Sequence, residues 1–197
     1  MRALVARAPG APLRVEEIRL PAPGPGELRV RVRAAGVCHS DLSMVNGTLA
    51  PAYPLVLGHE AAGVVVEAGP SAAVPVGTQV VLNWAPACRR CWHCRHGEPW
   101  LCAANTAPAV PRGETADGEA LHVTLGLGAF AEEVVVPEAA VVAVPDDLPP
   151  ERGRPARLRR AHRHVPEAAV VAVPDDLPPE RAALLGCAVL TGTGAVR

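Results

Sequence analysis

Cys88-Arg89-Arg90-Cys91-Trp92-His93-Cys94-Arg95-His96-Gly97-Glu98-Pro99-Trp100-Leu101-Cys102 carries four cysteines at C-x2-C-x2-C-x7-C spacing. Zinc binds four thiolates tetrahedrally at about 2.3 Å, and two-residue gaps let one loop curl around the ion while a longer gap closes the far corner. A four-thiolate set leaves no open position, so the stretch predicts a closed, structural zinc lobe built from Cys88, Cys91, Cys94 and Cys102. Two disulfides, or four incidental buried thiols, are the alternatives. Cysteines set this close need a compensating partner, and nothing in the sequence points to export. Reactive chemistry is then expected elsewhere in the chain.

Two cysteines remain, Cys38 and Cys187. Cys38 stands in Gly36-Val37-Cys38-His39-Ser40-Asp41, and downstream lies Gly58-His59-Glu60 ahead of an apolar run. Two thiolates and one imidazole make a three-ligand zinc site with an open fourth place, one of the recognised catalytic patterns. Cys38, His59 and Cys187 are the expected ligands.

With these motifs in order, and Leu185-Gly186-Cys187 closing them, the chain resembles the N-terminal half of a zinc-dependent alcohol dehydrogenase of the medium-chain dehydrogenase/reductase group. The resemblance implies a mainly β fold with short helices, a GroES-like partly open barrel carrying the structural-zinc lobe. It also implies oxidation of an alcohol to an aldehyde or ketone with hydride transfer to NAD or NADP. Ser40 matches the proton-relay hydroxyl, the alternative being a plain turn hydroxyl. Ser43 stands where some members continue the relay with a histidine. Asp41 is placed to accept the second ring proton of His59, fixing its tautomer. Glu60 matches a carboxylate behind the metal or a transient ligand, against a solvated residue beside a glycine turn. His39 matches a position near the cofactor pyrophosphate, against a surface histidine. Trp84 matches an aromatic wall of the alcohol pocket, against a core strand residue. His93, His96 and His122 read as structural or surface residues, since four cysteines already saturate the lobe's metal.

Composition bounds the remaining possibilities. At 197 residues the chain can bury one good core, or one domain plus part of another. A net charge of -1 gives no electrostatic case for nucleic acid or a membrane surface. All 19 basic residues are arginine, which excludes a P-loop lysine and any lysine Schiff base. The first residues show no long apolar run, so no signal peptide or spanning helix is expected and the location is expected to be cytoplasmic. Leu28, Val30 and Val32 alternate with Arg29, Arg31 and Arg33, the period of a half-buried strand whose end delivers Cys38. Further strands are expected at 3–6, 13–20, 61–68 and 79–82, and the resemblance implies that Phe130 lies in the family's strand returning to the barrel.

The pattern is interrupted by a repeat. Val136 to Arg152 recurs unchanged as Val165 to Arg181, a 17-residue identity at an offset of 29. Two copies are too few for a solenoid, so this reads as a local tandem duplication. Between the copies, 153–164 holds five arginines without apolar periodicity, expected as a solvated linker, with a basic ligand patch as the alternative. Reading the DNA of Gly128 to Glu132 one base out of frame can give Arg157-Leu158-Arg159-Arg160, so the linker is explained by out-of-frame translation of the duplicated stretch. The expected organisation is a catalytic domain at 1–135, the duplication at 136–181, and a last catalytic-domain segment at 182–197 that begins a nucleotide-binding domain. Gly192-Thr193-Gly194 is only part of a glycine fingerprint, so a Rossmann domain is expected to be absent from these residues and the chain inactive alone. Expected partners are a small-molecule alcohol or aldehyde, with homo-oligomers for full-length relatives. The competing readings are a non-catalytic zinc-stabilised fragment, a thiol-adduct formaldehyde dehydrogenase domain, and an interaction module built on the zinc lobe, which would need an exposed apolar patch.

Overall fold

The computed structural model describes residues 1–106 and 109–144. Within them the chain forms β1 (Arg2–Ala6), β2 (Arg14–Arg19), β3 (Glu27–Gly36), α1 (His39–Val45), β4 (Leu55–Val56), β5 (Glu60–Ala68), β6 (Gln79–Leu82), α2 (Trp92–Arg95), β7 (Gly113–Thr115), β8 (Ala120–Val123), β9 (Glu133–Pro137) and β10 (Val141–Ala143). Short 3-10 turns fill several connections. The mainly β reading with short helices holds, and no doubly wound α/β layer occurs among the described residues.

Five short strands close into a barrel in the order β1-β2-β7-β8-β4, and the other five form an open sheet in the order β10-β6-β5-β3-β9. The expected partly open barrel is thus a small closed barrel joined to an open sheet. Ala3, Val5, Ile18, Val56 and Leu121 fill the barrel. Leu28, Val30, Val65, Val80, Val134 and Val136 make the core of the sheet.

β3 organises the open sheet, and its alternation explains why. Leu28 and Val30 are fully buried, while Arg29 and Arg31 point outward and meet acids on the flanking strands. Arg29 Nε lies 2.7 Å from Glu67 Oε2, and Arg31 Nη2 lies 3.1 Å from Glu133 Oε1. Opposite charges placed across strands stabilise the ladder modestly and disfavour slipped registers. Irregularities between Arg29 and Val30, and between Val32 and Ala34, adjust the β3–β5 register so that Gly36 pairs with Glu60. Gly63 on β5 has no room for a side chain, because a Cβ there would lie 2.3 Å from the Arg31 carbonyl oxygen. The pairing of Gly36 with Glu60 brings the turn that carries Cys38 beside the turn that carries His59.

The first copy of the repeat enters this sheet. Val136 and Pro137 pair with Leu28 and Glu27, and Val141 to Ala143 pair with β6. The Asn83 N–H donates to the Ala140 carbonyl at 2.8 Å. The rest of the first copy, the linker at 153–164, the second copy at 165–181 and the segment at 182–197 with Cys187 lie outside the described residues. Among the described residues no helix is long and apolar enough to cross a membrane.

Leu28 sits fully buried between Ala68 of β5 and Val136 of β9. Leu28→Ala is expected to lower the unfolding free energy by about 2–5 kcal/mol, the range for a leucine removed from a packed core, measured as a shift of the urea midpoint.

Candidate metal centres

One buried carboxylate assembles the first centre. Asp41 is the third residue of α1 and reaches back to the turn before it. Its Oδ2 accepts the Cys38 N–H at 2.9 Å, and its Oδ1 accepts the Gly58 N–H at 3.1 Å. The first contact is one arm of a capping box, which satisfies an N-terminal donor of the helix. The same Oδ1 lies 3.5 Å from His59 Nδ1, with only 4% of the Asp41 side chain and 1% of the His59 side chain exposed. Burial alone would raise the Asp41 carboxyl, but His59 and the two backbone donors hold it below its ordinary value. Asp41 raises the His59 imidazole above its usual value, against the opposing effect of burial.

The other ring nitrogen faces a polar pocket. His59 Nε2 is 3.4 Å from Ser40 Oγ and 3.7 Å from Glu60 Oε1. Cys38, His59 and Glu60 each bring a ligand atom within 4.8 Å of the other two, all in buried surroundings. A thiol, an imidazole and a carboxylate so close together form a donor set that suits zinc. With its side chain only 10% exposed, Glu60 is not the solvated carboxylate that a glycine turn left open. The structure thus brings together Cys38, Ser40, Asp41, His59 and Glu60. Cys187 lies outside the described residues.

The remaining site residues fall elsewhere. His39 is exposed on α1, where Ser43 Oγ donates to the His39 carbonyl at 3.2 Å and lies 3.4 Å from its Nδ1. Trp84 sits on a bend after β6 and is 46% exposed, so its reading as a core strand residue does not hold. The strand there ends at Leu82. Phe130 lies ahead of β9 rather than in it, and its ring packs against Gly58. No spacing in the sequence signals that contact.

The second centre is local. The ligand atoms of Cys88, Cys91, Cys94 and Cys102 all lie within 4.8 Å of one another. The Cys88 and Cys94 sulfurs are 4.0 Å apart, close to the edge of about 3.8 Å that a tetrahedron of 2.3 Å zinc–sulfur bonds requires. All four are free thiols, so the disulfide alternative does not hold. Backbone donors are already turned toward them. The Cys88 N–H donates to Cys102 Sγ at 3.2 Å, and the Cys91 N–H donates to Cys88 Sγ at 3.3 Å. Backbone N–H groups, led by Arg90 for Cys88, Cys94 for Cys91 and Cys88 for Cys102, hold those three thiols below their ordinary value. Desolvation and the neighbouring thiols push Cys94 up to about 12. Four thiols crowded this way resist carrying four negative charges, and a divalent ion relieves the crowding. The set could hold a structural zinc. His93 bonds Glu98 at 3.2 Å and His96 bonds the Trp92 carbonyl at 2.8 Å, both apart from the sulfur cluster. On the lobe's outside Trp92, Trp100 and Leu101 are exposed.

Fold and geometry define a β-barrel domain with one closed four-sulfur centre and one buried mixed-donor centre. The model of the alcohol dehydrogenase GroES-like domain matches residues 24–146. The S-(hydroxymethyl)glutathione dehydrogenase of Paracoccus denitrificans is 38% identical over 158 residues, covering 75% of this chain and 42% of the relative. Among solved structures, an alcohol dehydrogenase zinc-binding domain protein from Burkholderia ambifaria superposes with a TM-score of 0.72 at 32% identity, covering 99% of this chain and 47% of that one. An NAD-dependent alcohol dehydrogenase superposes with a TM-score of 0.58 at 38% identity, covering 77% of this chain and 42% of that one. The chain belongs to the alcohol dehydrogenase family with a GroES-like domain. It spans less than half the length of these relatives.

Thiols must lose their protons to bind metal, so zinc uptake by the lobe is linked to pH. Because Cys94 holds its proton up to about 12 in the metal-free chain, loading at neutral pH is expected to release protons, and the apparent zinc affinity to fall as pH is lowered. Chelator competition across a pH series measures this. Cys88→Ser is expected to remove one equivalent of bound zinc and to open the lobe to proteolysis.

Proposed function

We propose that the domain provides the zinc-bearing catalytic half of an alcohol dehydrogenase, which oxidises an alcohol to an aldehyde or ketone and passes hydride to NAD or NADP. The observation that carries this reading is the buried group of Cys38, His59 and Glu60 with the Ser40 hydroxyl 3.4 Å from His59 Nε2. Cys38, His59 and Cys187 would hold the ion, with Glu60 beside it. A zinc ion in that place supplies Lewis acidity that draws the pKa of a substrate hydroxyl toward neutrality.

The chain's own residues do the rest. Asp41 Oδ1 stands 3.5 Å from His59 Nδ1, and Nε2 is left directed toward Glu60 and Ser40. Ser40 Oγ, half-buried beside the site, would accept the proton of the alcohol while passing its own to solvent. His39, next to Ser40 in sequence, is exposed, and Ser43 Oγ lies 3.4 Å from its Nδ1 across one helical turn. The four-cysteine lobe fixes the loop between β6 and β7 and takes no part in the chemistry.

A second substrate reading is favoured by the Paracoccus denitrificans relative, whose name gives S-(hydroxymethyl)glutathione as substrate. That compound also presents a primary hydroxyl, so the same residues serve both.

Cobalt in place of zinc makes ligand exchange visible. Titrating the cobalt-loaded chain with a primary alcohol, and separately with S-hydroxymethylglutathione, is expected to give a saturable change in the visible spectrum that Cys38→Ser abolishes. Ser40→Ala is expected to keep the spectrum of the free protein and to weaken the alcohol-induced change by about 0.5–1.5 kcal/mol, the worth of one hydrogen bond. No response to either compound in the wild-type chain would refute the reading.

A further inference from the structure

The turn that presents His59 is held from one side by a residue to which the chemistry above gives no role. Gly58 has φ +92, a left-handed conformation that only glycine adopts freely. A Cβ at Gly58 would lie 2.7 Å from Phe130 Cδ1, 2.7 Å from the Phe130 nitrogen and 3.0 Å from Phe130 Cγ. The ring therefore stands where a side chain at 58 would be. Main-chain bonds lock the two segments in register: the Phe130 N–H donates to the Leu57 carbonyl at 2.8 Å, and the Ala129 N–H donates to the Gly58 carbonyl at 2.8 Å. Phe130 is anchored in turn, because its carbonyl accepts the Leu4 N–H at 2.7 Å. Asp41 grips the Gly58 N–H at 3.1 Å. Gly58, the residue before His59, is thus fixed by a carboxylate at its nitrogen, by a backbone donor at its carbonyl and by an aromatic ring against its α-carbon.

We propose that Phe130 is a positioning residue for His59, its ring backing the Gly58 turn so that the imidazole meets Cys38 and Glu60 at one fixed angle. The inference rests on the reading of His59 as a metal ligand. Phe130 also packs against Ala6, Met44, Leu55 and Leu57, but that contact alone does not require an aromatic plane. On another side Phe130 lines an open cleft of about 350 Å³ beside Leu4, Ala34 and Ala35. A shorter side chain there leaves the backbone bonds in place and removes only the backing of the turn. The expected consequence is a loosened imidazole in a folded chain.

Phe130→Leu tests this, with the ring nitrogens of His59 followed by NMR in the 15N-histidine-labelled, metal-free chain and assigned by His59→Gln. The His59 ring signals are expected to shift or broaden while those of His93 and His96 stay in place. In a cobalt titration, affinity at the centre lost in Cys38→Ser is expected to fall about 10–100-fold, the usual effect of removing a residue that orients a metal ligand. Uptake by the four-cysteine lobe is expected to be unchanged. Unmoved His59 signals overturn the proposal, as does an equal loss at both centres, which would mark general loosening of the fold. If His59 shifts but the wild-type chain takes up only the lobe's equivalent of cobalt, the positioning role stands and the reading of His59 as a metal ligand falls.

Discussion

A single buried carboxylate ties the reactive part of this molecule together. Asp41 accepts one backbone N–H on each oxygen, from Cys38 and from Gly58, and faces His59 with the second. Cys38 follows β3 and Gly58 precedes β5, so the two turns come from different segments of the chain. Taking an ionised carboxylate out of water costs several kcal/mol unless its lone pairs are met. Here they are met by donors that must themselves be paired once buried. Asparagine would not substitute, since its amide offers one accepting oxygen and would set a donor against the second N–H. The requirement is for two accepting oxygens at that spot, and it follows from backbone geometry before any chemistry is considered.

Asp41 can act only because the sheet delivers both turns to it, and that delivery was partly legible in the sequence. The period-two alternation of β3 is clear because Leu28 and Val30 face the core while Arg29 and Arg31 face acids across the strand. The cysteine lobe was legible from spacing alone, since its ligands lie within one loop. What could not be read was the long-range pairing of short strands. β4 has two residues and β7 three, too few for any period to show, yet they close the barrel. The β3–β5 register depends on irregularities that no composition reveals. Glu60 was open between a carboxylate behind the metal and a solvated residue, because the burial that decides between them comes from the pairing of Gly36 with Glu60. Trp84 was open between a pocket wall and a core strand residue, and its exposure past the end of β6 at Leu82 removes the second.

The two centres differ in how much of the fold each requires. The lobe gathers four sulfurs between Cys88 and Cys102 and turns backbone N–H groups toward them within the same loop. Metal binding and local folding are there one event, because the site barely exists without the loop's curl. The other centre draws Cys38 and His59 from two different turns that meet at one end of the β3–β5 pairing, and holds them through Asp41 and Gly58. Its geometry is set by the sheet, and distant packing changes reach it through the backbone. A lobe that closes on its own metal therefore serves as a fixed surface insertion, while the mixed-donor centre responds to the whole domain.

The same dependence on continuity bears on the duplicated segment. Val136–Val144 and Val165–Val173 are identical, so the side-chain contacts of Val136, Ala140 and Val141 do not by themselves distinguish the copies. The residues before them do. β9 needs Val134 and Val135, which are 2% and 6% exposed, and they immediately precede the first copy. Arg163 and His164 precede the second. Placing the second copy in register with β3 would put an arginine and a histidine where the sheet holds two buried valines, and a buried unpaired charge costs far more than the contacts of the shared stretch return. The first copy belongs to the sheet because of what precedes it, not because of its own sequence.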